Sequence, residues 1–225
     1  MPRTQLPGTV IGTPGGSLEG ATWAHSDAAA RTGARGEERT AALLDALARK
    51  PGGPTVLHDL EIRQGRAVYN IDHVVVSGKN VYLIDAKVWK PGRYLTWRGK
   101  TFGPKRPVDY SNPNGRQTRR AAHADKKTMG LARAHIEGLG VKVSGSVLAV
   151  WPSSTRGVID VRFARNVSAK VMNAESAVAW VARRATRPAN PDVVNRLMPM
   201  VVALAKPKNA PRPGPRNSNY EDWAA

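Results

Sequence analysis

The pattern of hydrophobic and polar residues in the first half of the chain indicates one helix followed by three strands. Residues 36–50 (GEERTAALLDALARK) carry leucines at helical spacing, and Lys50-Pro51-Gly52-Gly53 is a stop signal. Three runs rich in β-branched residues follow, at 55–62, 67–77 and 81–89. Gln64-Gly65 and Gly78-Lys79 separate these runs, so we expect them to form consecutive antiparallel strands.

The second half of the chain alternates between strand and helix signals. A hairpin is predicted at 94–102, with its turn at Arg98-Gly99. The signals that follow are a helical stretch at 116–138, an apolar strand at 143–151, a short strand near 158–163, and helices around 174–186 and 191–205. The order of helix, three strands, helix and strand predicts a mixed α/β fold with additional C-terminal helices.

Composition divides the chain into four parts. Residues 1–34 are rich in Gly, Pro, Ser, Thr and Ala, which favours a flexible arm that turns helical near Ser26. A core domain is expected at 35–163, and a helical extension packed on that core at 164–206. Residues 207–225 contain a basic, proline-rich segment, for which we predict a disordered tail.

The 225-residue chain contains no cysteine, which excludes disulfides, thiolate zinc sites and a cysteine nucleophile. Hydrophobic residues make up 41% of it, as expected for a globular protein with a real core. We find no apolar stretch typical of a signal peptide or a membrane span. The expected location is therefore the cytoplasm.

Positive charge dominates the chain, with 35 Lys and Arg against 17 Asp and Glu and a formal charge of +18. Residues 93–142 contain twelve basic and three acidic side chains. A positive charge of this size favours nucleic acid as the partner, with an anionic membrane surface second, and a solvated helix face is the alternative for the stripe itself. The candidate nucleic-acid-binding residues are Arg93, Arg98, Lys100, Arg116, Arg119, Arg120, Lys126 and Lys127.

Three aromatic residues lie beside this stripe, namely Trp89, Tyr94 and Trp97. Aromatic side chains can stack on nucleotide bases, but covering the edge of a core is their more common role. Both interpretations stay open for these three residues.

The strands on either side of Gly78-Lys79 hold the residues with the most informative chemistry. A tight turn at that point sets Asp72 opposite Asp85 and Asn70 opposite Lys87, with all four side chains on one face of the sheet. His73 then points to the opposite face, where a hydrogen-bonded core histidine is expected rather than a metal ligand.

Two carboxylates directly across a strand pair repel each other, by about 4 kcal/mol at a separation of about 4 Å and a dielectric constant of about 20. A bound divalent cation offsets this repulsion most completely, and Lys87 does so in part. Because carboxylate oxygens suit hard ions, Mg²⁺ or Mn²⁺ is the expected cofactor. Beside such an ion, Lys87 could orient a water for attack on a phosphodiester.

Glu37 is a candidate third carboxylate. It precedes Thr40, Ala41 and Leu44 at helical spacing and therefore shares the face of the helix that packs inward. A carboxylate on such a face is costly unless it is paired or metal-bound, which favours a ligand or a water-positioning group. The alternative is a first-turn Glu that interacts with the helix dipole.

Four short segments, Gly36-Glu37, His58-Asp59, Ile71–Val76 and Ile84–Lys87, together resemble the nuclease-related domain (NERD) family. This family is similar to the PD-(D/E)xK, or restriction-endonuclease-like, superfamily, and the resemblance covers about residues 33–150. It implies an α-β-β-β-α-β core with a mixed central sheet flanked by helices.

The same resemblance implies roles for individual residues. Asp72 and Asp85 would bind the metal, Lys87 would serve the nucleophile and Glu37 would complete the acidic set. Members of the superfamily often carry a Gln early in the second core helix, and Gln117 matches that place.

The leading hypothesis is a metal-dependent endonuclease that hydrolyses DNA phosphodiester bonds. One alternative is a catalytically silent nucleic-acid-binding module of the same fold. Another is a basic scaffold protein that recruits a partner through its terminal segments. A homo-oligomer stays open as well.

Overall fold

The computed structural model of the protein describes residues 6–15, 27–64, 67–98, 100–104 and 128–202. The strands are β1 (Val10–Ile11), β2 (Thr55–Gln64), β3 (Ala67–Ser77), β4 (Asn80–Trp89), β5 (Gly92–Trp97), β6 (Lys100–Phe102), β7 (Lys142–Pro152), β8 (Ile159–Phe163) and β9 (Lys170–Asn173). The helices are α1 (Asp27–Ala48), α2 (Thr128–Gly138), α3 (Ala174–Ala182) and α4 (Pro191–Leu197), followed by a 3-10 turn at Met198–Met200. None of the helices in these ranges is long and apolar enough to cross a membrane.

A six-stranded mixed sheet in the order β1-β2-β3-β4-β7-β9 forms the centre of the molecule. Strands β2, β3 and β4 are antiparallel neighbours, whereas β4, β7 and β9 run parallel to one another. A smaller sheet, β6-β5-β8, continues from the end of β4. Helices flank the central sheet, so the predicted mixed α/β fold with an α-β-β-β-α-β core is confirmed.

Apolar side chains cover both faces of the central sheet. On β4, Val81 and Leu83 join the core layer that contains α2, while Tyr82 and Ile84 join the layer that contains α1 and α3. Strands buried on both faces carry continuous apolar runs, which explains the unbroken hydrophobic character of these segments.

The hairpin between β3 and β4 follows the predicted register. Ser77 pairs with Asn80, Val76 with Val81 and His73 with Ile84. Gly78 has φ 55°, a left-handed conformation that glycine adopts without the strain of a Cβ atom.

The N-terminal region differs from the predicted arm where the structure describes it. Residues 10–11 form β1 and pair with β2 in parallel. The Gly8 N–H donates to the Ala48 carbonyl, and the Gly52 N–H donates to the Leu6 carbonyl. Helix α1 begins at Asp27, next to Ser26, near which the sequence predicts a turn to helix, and it continues without a break into the helix predicted at 36–50. Backbone hydrogen bonds offered by the edge of β2 and the end of α1 account for the ordered path of residues 6–11.

The C-terminal extension contributes a strand as well as helices. β9 pairs with β7, and α3 packs on β7 and α1. The Ser77 hydroxyl donates to the Arg187 carbonyl and accepts from the Arg187 N–H, each at 3.0 Å. The extension is therefore joined to the central sheet at its edge and at the β3–β4 turn. The predicted tail at 207–225 lies outside the described residues.

Candidate active site

The candidate site lies where β3 and β4 stop pairing. Their ladder ends at His73 and Ile84, so Asp72 and Asp85, predicted to face each other, come just beyond the last described pair. The Ala86 N–H donates to the Asp72 carboxylate at 2.6 Å. A side chain of β3 therefore binds the backbone of β4 at this point. Asp72 and Asp85 are close enough for the charge of Asp85 to raise the pKa of Asp72.

Lys87 lies next to Asp85 on β4. Its Nζ is 2.6 Å from the Asp85 carboxylate, whose side chain is 8% exposed. Alternation along a strand puts both side chains on the face of β4 that also carries Leu83. The ammonium group therefore supplies a positive charge directly within the acidic cluster.

Helix α1 brings Glu37 to the same place. Gly36 allows this approach, because a Cβ atom at Gly36 would lie 2.5 Å from Cγ2 of Val88 on β4. Glu37 is 9% exposed and thus lies on the inward face, where the helical spacing predicted it. On the next turn, the Thr40 hydroxyl donates to the Gly36 carbonyl and accepts from Nε1 of Trp151, which fixes the helix against β7.

Burial and mutual repulsion shift the protonation of these carboxyl groups. Burial raises the pKa of Glu37 to about 8; Lys87 opposes this shift, and Asp59 and Asp85 add to it. The pKa of Asp72 is raised well above its usual value by burial and then by the charges of Asp85 and Glu37. Lys87 and the Ala86 N–H oppose that shift. The cluster thus contains one ammonium group and several buried carboxyl groups. Because negative charge would exceed positive charge when these groups are ionised, binding of a second cation is favoured.

The ligand atoms that these residues offer suit a hard divalent cation. Asp72, Asp85 and Glu37 offer carboxylate oxygens, the ligands that Mg²⁺ and Mn²⁺ prefer. Within the described part of the chain, however, no three acidic or histidine side chains converge closely enough to enclose an ion. The Lys87 ammonium is the cation that contacts Asp85 in this arrangement.

Asp59 joins this cluster without having been predicted as a site residue. It is 3% exposed on β2 and has φ 55°, a left-handed conformation that is uncommon outside glycine. Leu57 and Leu60 belong to the same core layer although an odd number of positions separates them, so the alternation of side chains shifts at this residue. The signal in the sequence was an acidic residue inside an apolar strand.

Two buried histidines connect the central sheet to α1. Nδ1 of His58 and Nδ1 of His73 are 2.9 Å apart, and Nε2 of His58 is 2.9 Å from the Asp45 carboxylate on α1. Burial lowers the pKa of both rings, most strongly that of His73. His73 is thus a hydrogen-bonded core residue, in agreement with the interpretation from its strand face.

The candidate nucleic-acid-binding residues divide into two groups. Arg93 is mostly exposed and pairs with Asp160, and Arg98 is exposed at the β5–β6 turn. Lys100 begins β6, and its side chain is not among those described. Outside the described residues lie Gln117, Arg116, Arg119, Arg120, Lys126 and Lys127.

The three aromatic residues take different positions. Trp89 and Tyr94 are buried with ring centroids 4.7 Å apart, so they cover the core at the end of β4. Trp97 is 65% exposed on β5. Of these three, only Trp97 is accessible to a base.

Comparison with known proteins gives one match. No curated protein and no solved structure matches the chain. The profile of the family described as nuclease-related domain matches residues 32–148, just over half of the chain. This segment contains Glu37, Asp59, Asp72, Asp85 and Lys87, the whole cluster described above. The chain therefore belongs to the nuclease-related domain family.

Proposed function

We propose that this protein is a metal-dependent nuclease that hydrolyses DNA phosphodiester bonds. One observation carries the proposal: Glu37 of α1, Asp72 of β3 and Asp85 of β4 are buried electrostatic neighbours, and Lys87 pairs with Asp85, in a member of a nuclease-related family. Buried carboxylates that repel one another beside a lysine lower the stability of the fold, and cation-assisted chemistry on a phosphate gives such an arrangement a use.

Each residue takes a role that its chemistry allows. Asp72 and Asp85, with Glu37 beside them, would hold Mg²⁺ or Mn²⁺. When bound, such an ion polarises a phosphoryl oxygen and makes a bound water more acidic. Lys87 supplies a hydrogen-bond donor and a positive charge next to the attacked phosphate, and thereby stabilises the negative charge that develops there.

The small sheet beyond β4 provides a path for the substrate. β5 begins five residues after Lys87 and carries the exposed Trp97, with Arg93 and Arg98 on the same hairpin. An exposed aromatic ring between arginines suits a nucleic-acid strand, because the ring stacks on bases and the guanidinium groups contact phosphates.

The test is a cleavage assay with plasmid and single-stranded DNA in Mg²⁺, Mn²⁺ and Ca²⁺. Asp85→Asn keeps the shape of the side chain but removes its charge, so cleavage is expected to fall by about 100-fold or more. DNA binding is expected to stay the same or to tighten, because a negative charge near the phosphates is lost. Lys87→Ala is expected to lose cleavage to a similar degree.

Asp192→Asn is the matched control, since Asp192 is an exposed acid in the first turn of α4, apart from the cluster. It is expected to cleave as the wild type does. Equal cleavage by wild type and Asp85→Asn in Mg²⁺ would reject the assignment.

A binding module of the same fold is the second candidate function. The observation in its favour is that the described carboxylates do not enclose an ion-sized site and that Lys87 pairs with Asp85. This alternative predicts salt-sensitive DNA binding with no turnover in any of the three metals. Calorimetric titration of the protein with Mn²⁺ separates the two candidates, because only the nuclease requires binding heat that Asp85→Asn abolishes.

A further inference from the structure

A second candidate site lies at the edge of the central sheet, at the start of β9. β9 pairs with β7 only from Val147 onwards, so the preceding stretch of β7 has β4 as its only strand neighbour among the described residues. A pocket of about 480 Å³ opens beside this stretch. It shares no residue with the carboxylate cluster.

Three cations from separate parts of the chain line the pocket. They are Arg133 of α2, Lys170 of β9 and Arg184, which follows α3. None of the described residues that line the pocket is acidic. Glu137 pairs with Arg133 at 3.0 Å but does not line the pocket. The pocket therefore carries a net positive charge.

Trp180 holds two of these cations in place. Nζ of Lys170 lies 4.9 Å from the centroid of the indole ring, and Cζ of Arg184 lies 4.3 Å from it. The Arg184 guanidinium also donates to the Trp180 carbonyl at 3.0 Å. Contacts of this kind restrict two long side chains before any ligand arrives, which lowers the entropy cost of binding.

The hydroxyl group of Ser146 also indicates a ligand in this pocket. The residue is 6% exposed and lines the pocket, and its Oγ has no hydrogen-bond partner among the described residues. Buried hydroxyl groups are almost always hydrogen-bonded in folded proteins. A ligand with acceptor oxygens in the pocket would satisfy this group.

We propose that this pocket binds a phosphate group through Arg133, Lys170, Arg184 and the Ser146 hydroxyl. A phosphate offers several acceptor oxygens and negative charge, which guanidinium groups bind in a bidentate manner. The volume is in the range of pockets that hold small ligands. The phosphate is either that of a free mononucleotide or a phosphodiester of a nucleic-acid strand. The proposal does not depend on hydrolysis at the carboxylate cluster.

Isothermal titration calorimetry of the full chain in EDTA tests the proposal at constant ionic strength. The probes are inorganic phosphate, a 5′-mononucleotide and a short oligonucleotide that contains only internal phosphodiesters. Lys170→Ala is expected to weaken binding by about tenfold, because it removes one of three cations. Lys142→Ala is the matched control, since Lys142 is an exposed lysine on β7 outside the pocket, and it is expected to leave binding unchanged.

Ser146→Ala gives a readout that simple surface charge would not change. Removal of a buried hydroxyl without a partner is expected to raise the midpoint of thermal unfolding of the free protein. The further rise caused by the ligand is expected to shrink in the same variant. Both effects together support direct contact between the Ser146 hydroxyl and the ligand.

The outcomes distinguish the two sources of the phosphate from non-specific attraction to surface charge. Tighter binding of the mononucleotide supports a free phosphomonoester, whereas tighter binding of the oligonucleotide supports a strand backbone. Absence of binding for all three probes, or equal weakening by Lys170→Ala and Lys142→Ala, overturns the proposal. Asp85→Asn is expected to bind these probes normally, so loss of nuclease function and loss of this site are distinguishable.

Discussion

Glu37 combines a buried position with a charge that its surroundings oppose. Its pKa of about 8 arises from burial first and from neighbouring carboxylates afterwards. A group with a raised pKa in the folded state weakens the fold at any pH where the unfolded chain has already released the proton. The residue therefore lowers stability at neutral pH.

Replacing Glu37 by Gln should make the protein more stable at alkaline pH. The unfolded carboxyl group titrates near 4.5 and the folded one near 8, so the folded state becomes progressively less stable between these values. We expect Glu37→Gln to raise the free energy of unfolding by about 1–3 kcal/mol at pH 8 and to have little effect near pH 4. Urea unfolding at both pH values measures this difference. Glu38→Gln, at an exposed neighbour, is the control and should give no such pH-dependent gain.

The histidine pair gives a pH dependence of the opposite sign. Both rings have a lowered pKa because they are buried, so their contribution to stability is present above about pH 6.5 and is lost as the pH falls through the folded pKa values. We expect the stability cost of His73→Gln to be largest at pH 7.5 and to shrink towards pH 5. Unfolding curves of wild type and variant at matched pH values test this; a cost that does not vary with pH would contradict it.

Most of the cluster could be predicted from strand and helix spacing. The hairpin register placed Asp72, Asp85 and Lys87 on one face of the sheet, and the helical period placed Glu37 on the inward face of α1. Both predictions rest on side-chain periods that backbone geometry fixes. Asp59 could not be found in this way. Its side chain reaches the cluster through a left-handed backbone conformation, which interrupts the alternation on which such predictions rest.

At the scale of elements, the contact between α1 and β4 positions Glu37. We expect Gly36→Ala to destabilise the protein by about 1–3 kcal/mol, because the added methyl group meets Val88. Helix propensity alone would favour Ala by about 1 kcal/mol, so a net loss identifies packing as the cause. The double variant Gly36→Ala/Val88→Ala should recover part of the loss in a double-mutant cycle. Additive effects in that cycle would show that the two residues do not compete for space.

The long strands were predictable because each has a strong apolar pattern, and the short turns between β2, β3 and β4 indicated that these three are antiparallel neighbours. β1 and β9 were not, since strands of two and four residues are too short to have a period. Their pairing depends on free edges of β2 and β7, a property of the assembled sheet. The start of α1 was indicated only by the expected turn to helix near Ser26, because the alanine-rich segment before residue 36 has no leucine stripe.

For the molecule as a whole, the charge of +18 sets how binding to DNA should depend on salt. We expect the logarithm of the binding constant to fall linearly with the logarithm of salt concentration, with a slope of about −5 or steeper. Arg98→Ala should reduce the magnitude of that slope by about one if Arg98 contacts a phosphate. Fluorescence anisotropy from low to high salt measures both slopes. A flat salt dependence would argue against a nucleic-acid partner.

The edge strand β9 also determines how far the polypeptide can be shortened. The segment that defines the family starts inside α1 and stops at residue 148, partway along β7, whereas the sheet continues to β9 and the Ser77–Arg187 hydrogen bonds lie further on. A polypeptide trimmed to that segment would present the unprotected edge of β7 and a severed apolar strand to solvent, the conditions under which chains aggregate. A fragment made for biochemical work should therefore keep residues through at least 202.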